Sequence, residues 1–421
     1  MPLSIDFQVF GGVHLFFPSE PIAIILLIGL GVKALYNTKN IEFSKLLLPS
    51  LFLVFILLVT SAFSSNIEVS LKYTLVYTLY IACFYWGVSS ILNKSKQSIN
   101  LIVTGYTFSY LLVTFWALYN WSGFDFNPVT VPAIFEPFYA DHTIYAASGV
   151  FLFIHWMAKV LKGENYRKKL VYLFPLVFIL IGLRIANSRA ALLSLPVGLA
   201  VGFLVYYGFS KRHLAVTVIL LIFAVFISRN EIYDWVSYNK YDSRDQNASF
   251  VERTASVGNV QTDVSNLERI NRWKAALNMA QKRPLLGFGP GTFQFTYIPF
   301  QDEKWMNRLS VVDIYDIPDN SGGTVHSEPL LFLSESGGLG LFSWLVLIIT
   351  WVLWVTSVDK KKRSRYLAVS AAMVSTYLFH GIFNNFLNTD KLAFLFWGAA
   401  AIMMIEVKNE NPNKYLLQFG R

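Results

Sequence analysis

The stretch GGLGLFSWLVLIITWVLWV, residues 337–355, contains no charged side chain and is rich in leucine, isoleucine, valine and tryptophan. A helix of about 20 apolar residues is long enough to cross the hydrocarbon core of a bilayer. Comparable runs recur along the chain, which has 421 residues, 54% of them hydrophobic and 14% charged, and a mean hydropathy of +0.46. A water-soluble domain could not bury so much apolar surface, so we expect the bilayer to be the main solvent.

The apolar runs predict an all-α polytopic membrane protein with about 11 transmembrane helices, within a range of about 10 to 12. The segment Leu3–Phe17 is too short and too interrupted for a span, and could be re-entrant or lie at the interface. The single cysteine, Cys83, lies inside an apolar run, so no disulfide framework is expected. The predicted spans are 19–37, 45–63, 71–92, 100–120, 142–161, 168–184, 190–209, 212–229, 327–357, 366–386 and 391–407.

The net charge of +9 does not indicate a nucleic-acid partner, because most Lys and Arg residues fall in short loops between apolar runs. Positively charged loops stay in the cytoplasm. The loops on the other side are poor in Lys and Arg, and residues 120–141 contain no Lys and no Arg. We therefore expect the C-terminus inside and the N-terminus outside. The cytoplasmic set contains Lys33, Lys39, Lys45, Lys94, Lys96, Lys159, Lys162, Arg167, Lys168, Lys169, Lys211, Arg212, Lys360, Lys361, Lys362, Arg363 and Arg365.

This pattern divides the chain into N-terminal transmembrane helices, a long outer loop, C-terminal transmembrane helices and a cytoplasmic tail. Part of the long loop has apolar residues at helical spacing, which predicts a helix there. Long ordered loops are usually functional, so we expect any chemistry to face outward. The predicted divisions are 1–229, 230–326 with its helical part near 266–282, 327–407 and 408–421.

Arg184 and Arg189 lie in the short connection between two apolar runs, at or just under the outer surface. Positive-inside topology does not explain arginines there. A guanidinium can hold phosphate oxygens through two parallel hydrogen bonds, which favours a clamp on an anionic headgroup. The alternatives are a snorkelling side chain or an ion pair with an aspartate.

The predicted loop helix carries Arg269, Arg272 and Trp273. The two arginines share a helix face. An ordinary ion pair between Glu268 and Arg272 is the alternative. The following segment 287–291 lacks the strand and the Lys-Ser or Lys-Thr of a nucleotide phosphate loop, and it favours a tight turn whose N–H groups could still help to bind a phosphate.

His326 lies where the long loop enters a new span. Ser327 is a plausible N-cap and Pro329 falls in the first turn. The partial positive charge of the helix N-terminus should lower the imidazole pKa, leaving the ring neutral and able to accept a proton. A histidine hydrogen-bonded locally in a cap is the alternative.

Two further outward clusters surround Asp141 and His380. Asp141 is a candidate helix cap, and His142 and Tyr145 are candidate contacts for sugar hydroxyls. His380 and Asn384 lie four residues apart and could instead join neighbouring helices. We expect no metal and no cofactor, because zinc, flavin and serine-elbow patterns do not occur and the aspartates at 313, 316 and 319 fit a solvated loop better than a calcium loop.

In order and spacing these motifs resemble the O-antigen ligase and O-antigen polymerase family of bacterial lipid-linked glycan transferases, over roughly residues 180 to 410. The resemblance rests on three elements. They are Asn187-Ser-Arg-Ala190, then Arg269 and Trp273 with Pro284 and Gly287–Gly291, and finally His326-Ser-Glu followed by Glu335-Ser-Gly-Gly-Leu-Gly340. Where many relatives have asparagine after the motif histidine, this chain has Ser327.

The resemblance implies a glycosyltransferase-C-like fold in the bacterial inner membrane and a metal-independent, inverting transfer on the periplasmic face. The implied donor is a glycan on undecaprenyl diphosphate. Arg189 and Arg269 would hold the diphosphate, and His326 would deprotonate the acceptor hydroxyl. The implied substrate-binding residues are Arg184, Arg272, His142, Tyr145 and Glu328.

Several functions remain open at this point. We favour a ligase with a lipid A-core acceptor, because the long loop lies late in the chain. An O-antigen or exopolysaccharide polymerase and a protein O-oligosaccharyltransferase need the same donor site. A transporter of anionic lipid or glycolipid is the alternative of another class, but we detect no internal repeat of the kind common in transporters.

Overall fold

The computed structural model describes residues 1–10, 13–36, 47–89, 96–163, 165–208, 212, 264–306 and 323–410. These residues form a bundle of helices and one antiparallel β-hairpin, made of β1 (Ile5–Phe10) and β2 (Val13–Phe17). The hairpin occupies the segment Leu3–Phe17, which is too short for a span.

Every predicted span except 212–229 coincides with a helix, and that span lies outside the described residues apart from Arg212. In the part of the chain that the structure describes, 6 helices are long and apolar enough to cross a membrane, and Ser19–Val32 and Leu48–Ala62 are shorter apolar helices. The prediction of an all-α polytopic membrane protein is confirmed. The helices are α1 (Ser19–Tyr36), α2 (Leu48–Ala62), α3 (Ile67–Tyr80, continued by a π-helix at Ile81–Gly87), α4 (Lys96–Gly123), α5 (His142–Lys162), α6 (Tyr166–Ala186), α7 (Arg189–Tyr206), α8 (Val264–Lys282), α9 (Phe293–Thr296), α10 (Glu328–Ser357), α11 (Arg365–His380) and α12 (Asp390–Glu410).

Helix α10 is broken at Gly337, whose φ of 65° and ψ of −163° are not helical. The break frees backbone groups that an intact helix would pair. The chain after α8 takes their place: the N–H of Gly338 donates to the carbonyl of Pro284 at 2.7 Å, and that of Leu339 donates to the carbonyl of Leu285 at 3.3 Å. Irregular backbone at membrane depth is tolerated only when the protein satisfies its polar groups in this way.

A small apolar core fixes α8 over the start of α10. It combines side chains from α8, from the chain around α9 and from the segment before α10. Its buried members are Ala275, Ala276, Met279, Phe288, Phe293, Tyr297, Val325 and Leu331. The loop helix is thereby held at one end of the transmembrane bundle.

Helices α7 and α11 pack closely and run in opposite directions. A Cβ on Gly198 would overlap Thr376, and a Cβ on Gly202 would lie 2.9 Å from the Cβ of Ala372. Small residues at such four-residue steps let helix backbones approach in a membrane. The antiparallel arrangement brings the beginning of α7 next to the end of α11.

The break in α10 yields a test of what holds the loop in place. We expect Gly337→Ala to lower the midpoint of thermal unfolding in detergent, because only glycine adopts this φ/ψ region without a strain of about 1–3 kcal/mol. An added Cβ would also overlap the backbone of Leu285. Gly398→Ala is the control, since a Cβ there meets no atom within 4 Å. Equal midpoints for the two variants would contradict this account of the break.

Candidate active site

Arg189 is the first residue of α7, and a short turn separates it from the end of α6. Asn187 closes α6 in a left-handed conformation, with φ of 46°. The side chain of Ser188 then caps α7 by accepting the N–H of Ala191 at 3.4 Å. Arg189 is half-buried and Arg184, in the last turn of α6, is exposed. The tight reversal holds both arginines at one end of the bundle.

Arg272 is buried on α8, where its guanidinium binds groups of the protein. It forms the predicted ion pair with Glu268, with Nη2 and Oε1 3.0 Å apart. Its Nη1 donates to the carbonyl of Thr324 at 3.1 Å, and its Cζ lies 5.2 Å from the ring centre of Tyr297. Arg272 therefore ties α8 to the segment that leads into α10.

His326 lies in that segment with φ of 55°, a left-handed conformation that few residues with a side chain adopt. The indole N–H of Trp273 on α8 donates to the carbonyl of His326 at 3.2 Å and helps to hold it there. Ser327 occupies the N-cap position of α10, but its side chain makes no cap hydrogen bond, in contrast to the expectation. Strained backbone of this kind is typical of functional positions.

The surroundings of His326 favour a neutral imidazole. Burial lowers the pKa of His326 well below its ordinary value, and the nearby Arg269 and Arg272 guanidiniums lower it further. A hydrogen bond with the side chain of Asn384 opposes the shift. The direction is the one expected from sequence, but the chief causes are desolvation and two cations instead of the helix N-terminus. The ring can therefore accept a proton at neutral pH.

A second group of polar residues adjoins these cations. Asp141 caps α5, and its carboxylate lies 3.4 Å from Nδ1 of His142. His380, at the end of α11, interacts electrostatically with Asp141 and Arg269 and lies against the backbone of Ala190, the residue after Arg189. The starts of α5 and α7, helix α8, the end of α11 and the segment before α10 therefore meet in one place.

Tyr145 and Glu328 have protein partners inside the bundle. The hydroxyls of Tyr145 and Thr114 lie 2.6 Å apart, and Tyr145 is fully buried. Glu328 is also buried, and its carboxylate accepts hydrogen bonds from the hydroxyl of Tyr377 and from the N–H of Leu387 at 3.0 Å. Both side chains therefore pack inside the bundle next to the site. The sequence suggests that they contact the substrate, but the structure buries them.

The Gly287–Gly291 turn does not present free N–H groups to a ligand. The carboxylate of Glu335 accepts the N–H of Gly291 at 2.7 Å and that of Phe293 at 2.9 Å. Its backbone carbonyl accepts the N–H of Gly289 at 2.7 Å. The turn is therefore a structural element bound to the break in α10, and the suggestion that its N–H groups help to bind phosphate is not supported.

Sequence reasoning overlooked the contacts of Glu335 with the Gly287–Gly291 turn and of Trp273 with His326, and for Asn384 it left a link between helices open as an alternative. An acidic residue inside an apolar span is unusual, and this signal singles out Glu335. The aspartates at 313, 316 and 319 lie outside the described residues. Within the described ranges, no group of three or more His, Cys, Asp and Glu side chains could hold a metal ion.

Comparison with known protein families gives a match to part of the chain. Residues 174–345 match the family described as O-antigen ligase. The matched range begins within α6 and ends within α10, and it contains Arg184, Arg189, Arg269, Arg272 and His326. No curated protein matches the chain. The match supports an assignment to this family.

The Glu335 contacts generate a prediction about the loop. We expect Glu335→Ala to lower the thermal midpoint and to speed hydrogen exchange at the amides of Gly291 and Phe293, because an unsatisfied buried N–H costs about 1–3 kcal/mol. Glu303→Ala, an exposed position on the same loop, should change neither quantity. Unchanged exchange at both amides in the Glu335 variant would show that the carboxylate does not hold the turn.

Proposed function

Because residues 174–345 match the O-antigen ligase family, we propose that the protein transfers a glycan from undecaprenyl diphosphate to an acceptor hydroxyl. The match to this family supports the interpretation of the chain as a multi-pass membrane protein that carries out glycan transfer of the ligase or polymerase type. We place the reaction on the periplasmic face of a bacterial inner membrane, because the site lies at the end of the bundle away from the Lys- and Arg-rich loops.

One observation carries the proposal: Arg269 and Arg272 on α8 act on the buried His326 at one end of the bundle, the end at which α7 begins with Arg189. A diphosphate bears negative charge that guanidiniums can hold bidentately. A neutral imidazole beside them can act as a base. The two groups that a transfer from a lipid diphosphate needs, cations for the diphosphate and a base for the acceptor hydroxyl, are therefore found at the same end of the bundle.

The proposed reaction is a single inverting displacement. The acceptor oxygen forms a bond to the anomeric carbon while the bond from that carbon to the diphosphate oxygen breaks. The electron pair goes to the departing diphosphate, whose growing charge Arg189 and Arg269 stabilise. The acceptor proton goes to His326. These residues need no metal to counter the charge of the leaving group.

The other candidate residues take supporting places in this scheme. Arg184 and His142 lie at the same end of the bundle and are proposed contacts for the donor or acceptor. Arg272 holds the backbone before His326 in position through its bond to Thr324. Tyr145 and Glu328 are proposed to shape the site from the interior, as their partners indicate.

The acceptor distinguishes the remaining possibilities. We favour ligation to a lipid A-core sugar over polymerisation and over protein glycosylation. Purified enzyme incubated with lipid-linked glycan and each acceptor class in turn tests this choice. Product with lipid A-core alone supports the ligase, and movement of the lipid-linked glycan across vesicles without any product would support a transporter.

The donor clamp generates the first functional prediction. We expect Arg189→Lys to reduce transfer by about 10²-fold, because an ammonium loses the bidentate grip on developing charge. His326→Ala should reduce it by about 10²–10⁴-fold through loss of the base. Arg167→Lys, at the opposite end of α6, is the matched control and should retain full rate. Full transfer by both site variants would refute the scheme.

The lowered pKa of His326 predicts the pH dependence of transfer. A base works in its unprotonated form, which predominates above its pKa. Since the ordinary histidine pKa is about 6.5, the rate should stay constant as pH falls from 8 to about 6.5 and should decline only below that. Initial rates measured across this range test the sign. A half-maximal rate at pH 7 or above would contradict it.

A further inference from the structure

We propose that the loop between α10 and α11 is a binding site for the headgroup of an acidic phospholipid. The loop presents exposed cations beside the exposed apolar surface of α7 and α10. It lies at the end of the bundle opposite the candidate active site, because α11 runs from Arg365 at this loop to His380 at the site. The inference therefore goes beyond glycan transfer and does not depend on it. The exposed cations are Lys360, Lys361, Lys362 and Arg365.

Neighbouring carboxylates do not neutralise these cations. In the part of the chain that the structure describes, none of them forms an ion pair with an acidic side chain. The acidic residues of this region bind other groups. Oδ1 of Asp359 accepts the backbone N–H of Lys361 at 3.1 Å, and Glu406 accepts the hydroxyl of Ser364. The loop therefore presents a positive surface that an anion can bind.

Arg363 fixes the loop against the ends of two helices, and its side chain is buried. Its Nε donates to the carbonyl of Val358 at 3.1 Å and its Nη2 to that of Thr356 at 3.2 Å, at the end of α10. Its Nη1 donates to the carbonyl of Val205 at 3.2 Å, in the last turn of α7. Carbonyls at helix ends lack partners within the helix. One guanidinium thus supplies donors to both helices and holds the loop between them.

The lysines of the loop are also held in a defined arrangement. Lys360–Lys362 form a turn of 3₁₀-helix that Asp359 caps. The stem of Lys360 lies against Gly208, where an added Cβ would be 2.7 Å from Cγ and Cδ of the lysine. A fixed set of donors loses less conformational entropy when it binds an anion. The positive-inside rule depends on the number of charges in a loop and not on its geometry, so topology alone does not account for this arrangement.

The surroundings of the loop favour a lipid over a soluble anion. Before the loop, α10 exposes Ile349 and Leu353. The end of α7 exposes Phe203, Tyr206 and Tyr207, and Tyr207 is 68% exposed. Exposed aromatic residues at a helix end are typical of the membrane–water interface. The cations therefore lie at the level of lipid headgroups, beside apolar surface that an acyl chain can cover. Basic clusters at the cytoplasmic ends of membrane helices are typical binding sites for acidic headgroups.

Native mass spectrometry of the full chain in detergent tests the proposal, with phosphatidylglycerol and phosphatidylcholine as the probes. We expect the wild-type chain to retain phosphatidylglycerol in preference to phosphatidylcholine. The triple variant Lys360→Gln, Lys361→Gln, Lys362→Gln should bind phosphatidylglycerol about 10–100-fold more weakly, because each lysine near the headgroup adds to the attraction.

The matched control removes the same charge elsewhere. Arg167→Gln, Lys168→Gln and Lys169→Gln together neutralise three exposed cations at the start of α6, which the charge pattern places on the same side of the membrane. This control should bind phosphatidylglycerol as tightly as the wild-type chain. An equal loss of affinity in both triple variants would indicate a general effect of surface charge and overturn the proposal.

Arg363→Lys tests whether the geometry of the loop matters. It keeps the charge of the chain and all four exposed cations but loses the planar fork that holds the two helix ends, and we expect binding about 10-fold weaker than in the wild type. Unchanged affinity would contradict a fixed site. Size-exclusion profiles establish that each variant is folded, and the two triple variants carry the test if Arg363→Lys does not fold.

The lipid probes distinguish the possible occupants. Equal retention of phosphatidylglycerol and phosphatidylcholine by the wild-type chain would indicate unselective lipid contact and overturn the proposal. Tighter binding of inorganic phosphate than of phosphatidylglycerol would assign the loop to a soluble anion and overturn it as well. A preference for phosphatidylglycerol that is lost in the loop variants and kept in the α6 control supports the site.

Discussion

Inside a bilayer, each backbone N–H and carbonyl must find its partner within the protein, because no water is there to replace it. At Gly337 helix α10 cannot meet this requirement alone. The chain after α8 meets it by inserting its own backbone, from Pro284 to Gly289, and Glu335 adds the side-chain contacts. The position of α8 follows from this exchange of hydrogen bonds, and so does the position of the residues that α8 presents to His326.

Electrostatics at the site follow from that placement. Two guanidiniums on α8 lower the pKa of a histidine that burial also favours as neutral, and a third arginine begins α7 at the same end of the bundle. Arg269 and Arg272 both disfavour protonation of His326. In the proposed displacement, cations that stabilise the departing diphosphate would thus also keep the base able to accept a proton. Binding of the anionic donor would weaken their effect on the base and raise its basicity.

Sequence reasoning reached the helical bundle because hydrophobic runs of bilayer length are a strong signal, and it placed a helix at 266–282 where α8 occupies Val264–Lys282. It also singled out three candidate residues by their positions. Arg189 lies at the start of a span, Arg269 shares a helix face with Arg272, and His326 lies where the long loop enters a span. It could not foresee the break at Gly337, because a glycine pair inside an apolar run is equally consistent with close helix packing. It also took the N-terminal segment as non-spanning without predicting a hairpin, since its alternation is short and interrupted.

The contacts of Glu335 with Gly291 and Phe293 join residues far apart in sequence, and no periodicity encodes them. Helices α7 and α11 show how such contacts arise. Small residues set their separation, and the antiparallel packing brings His380 to the backbone of Ala190 beside Arg189. His380 in turn lies beside Asn384, whose Nδ2 is 3.1 Å from Nε2 of His380. A change in the spacing of α7 and α11 would therefore disturb the start of α7, where Arg189 lies, together with the contacts of His380.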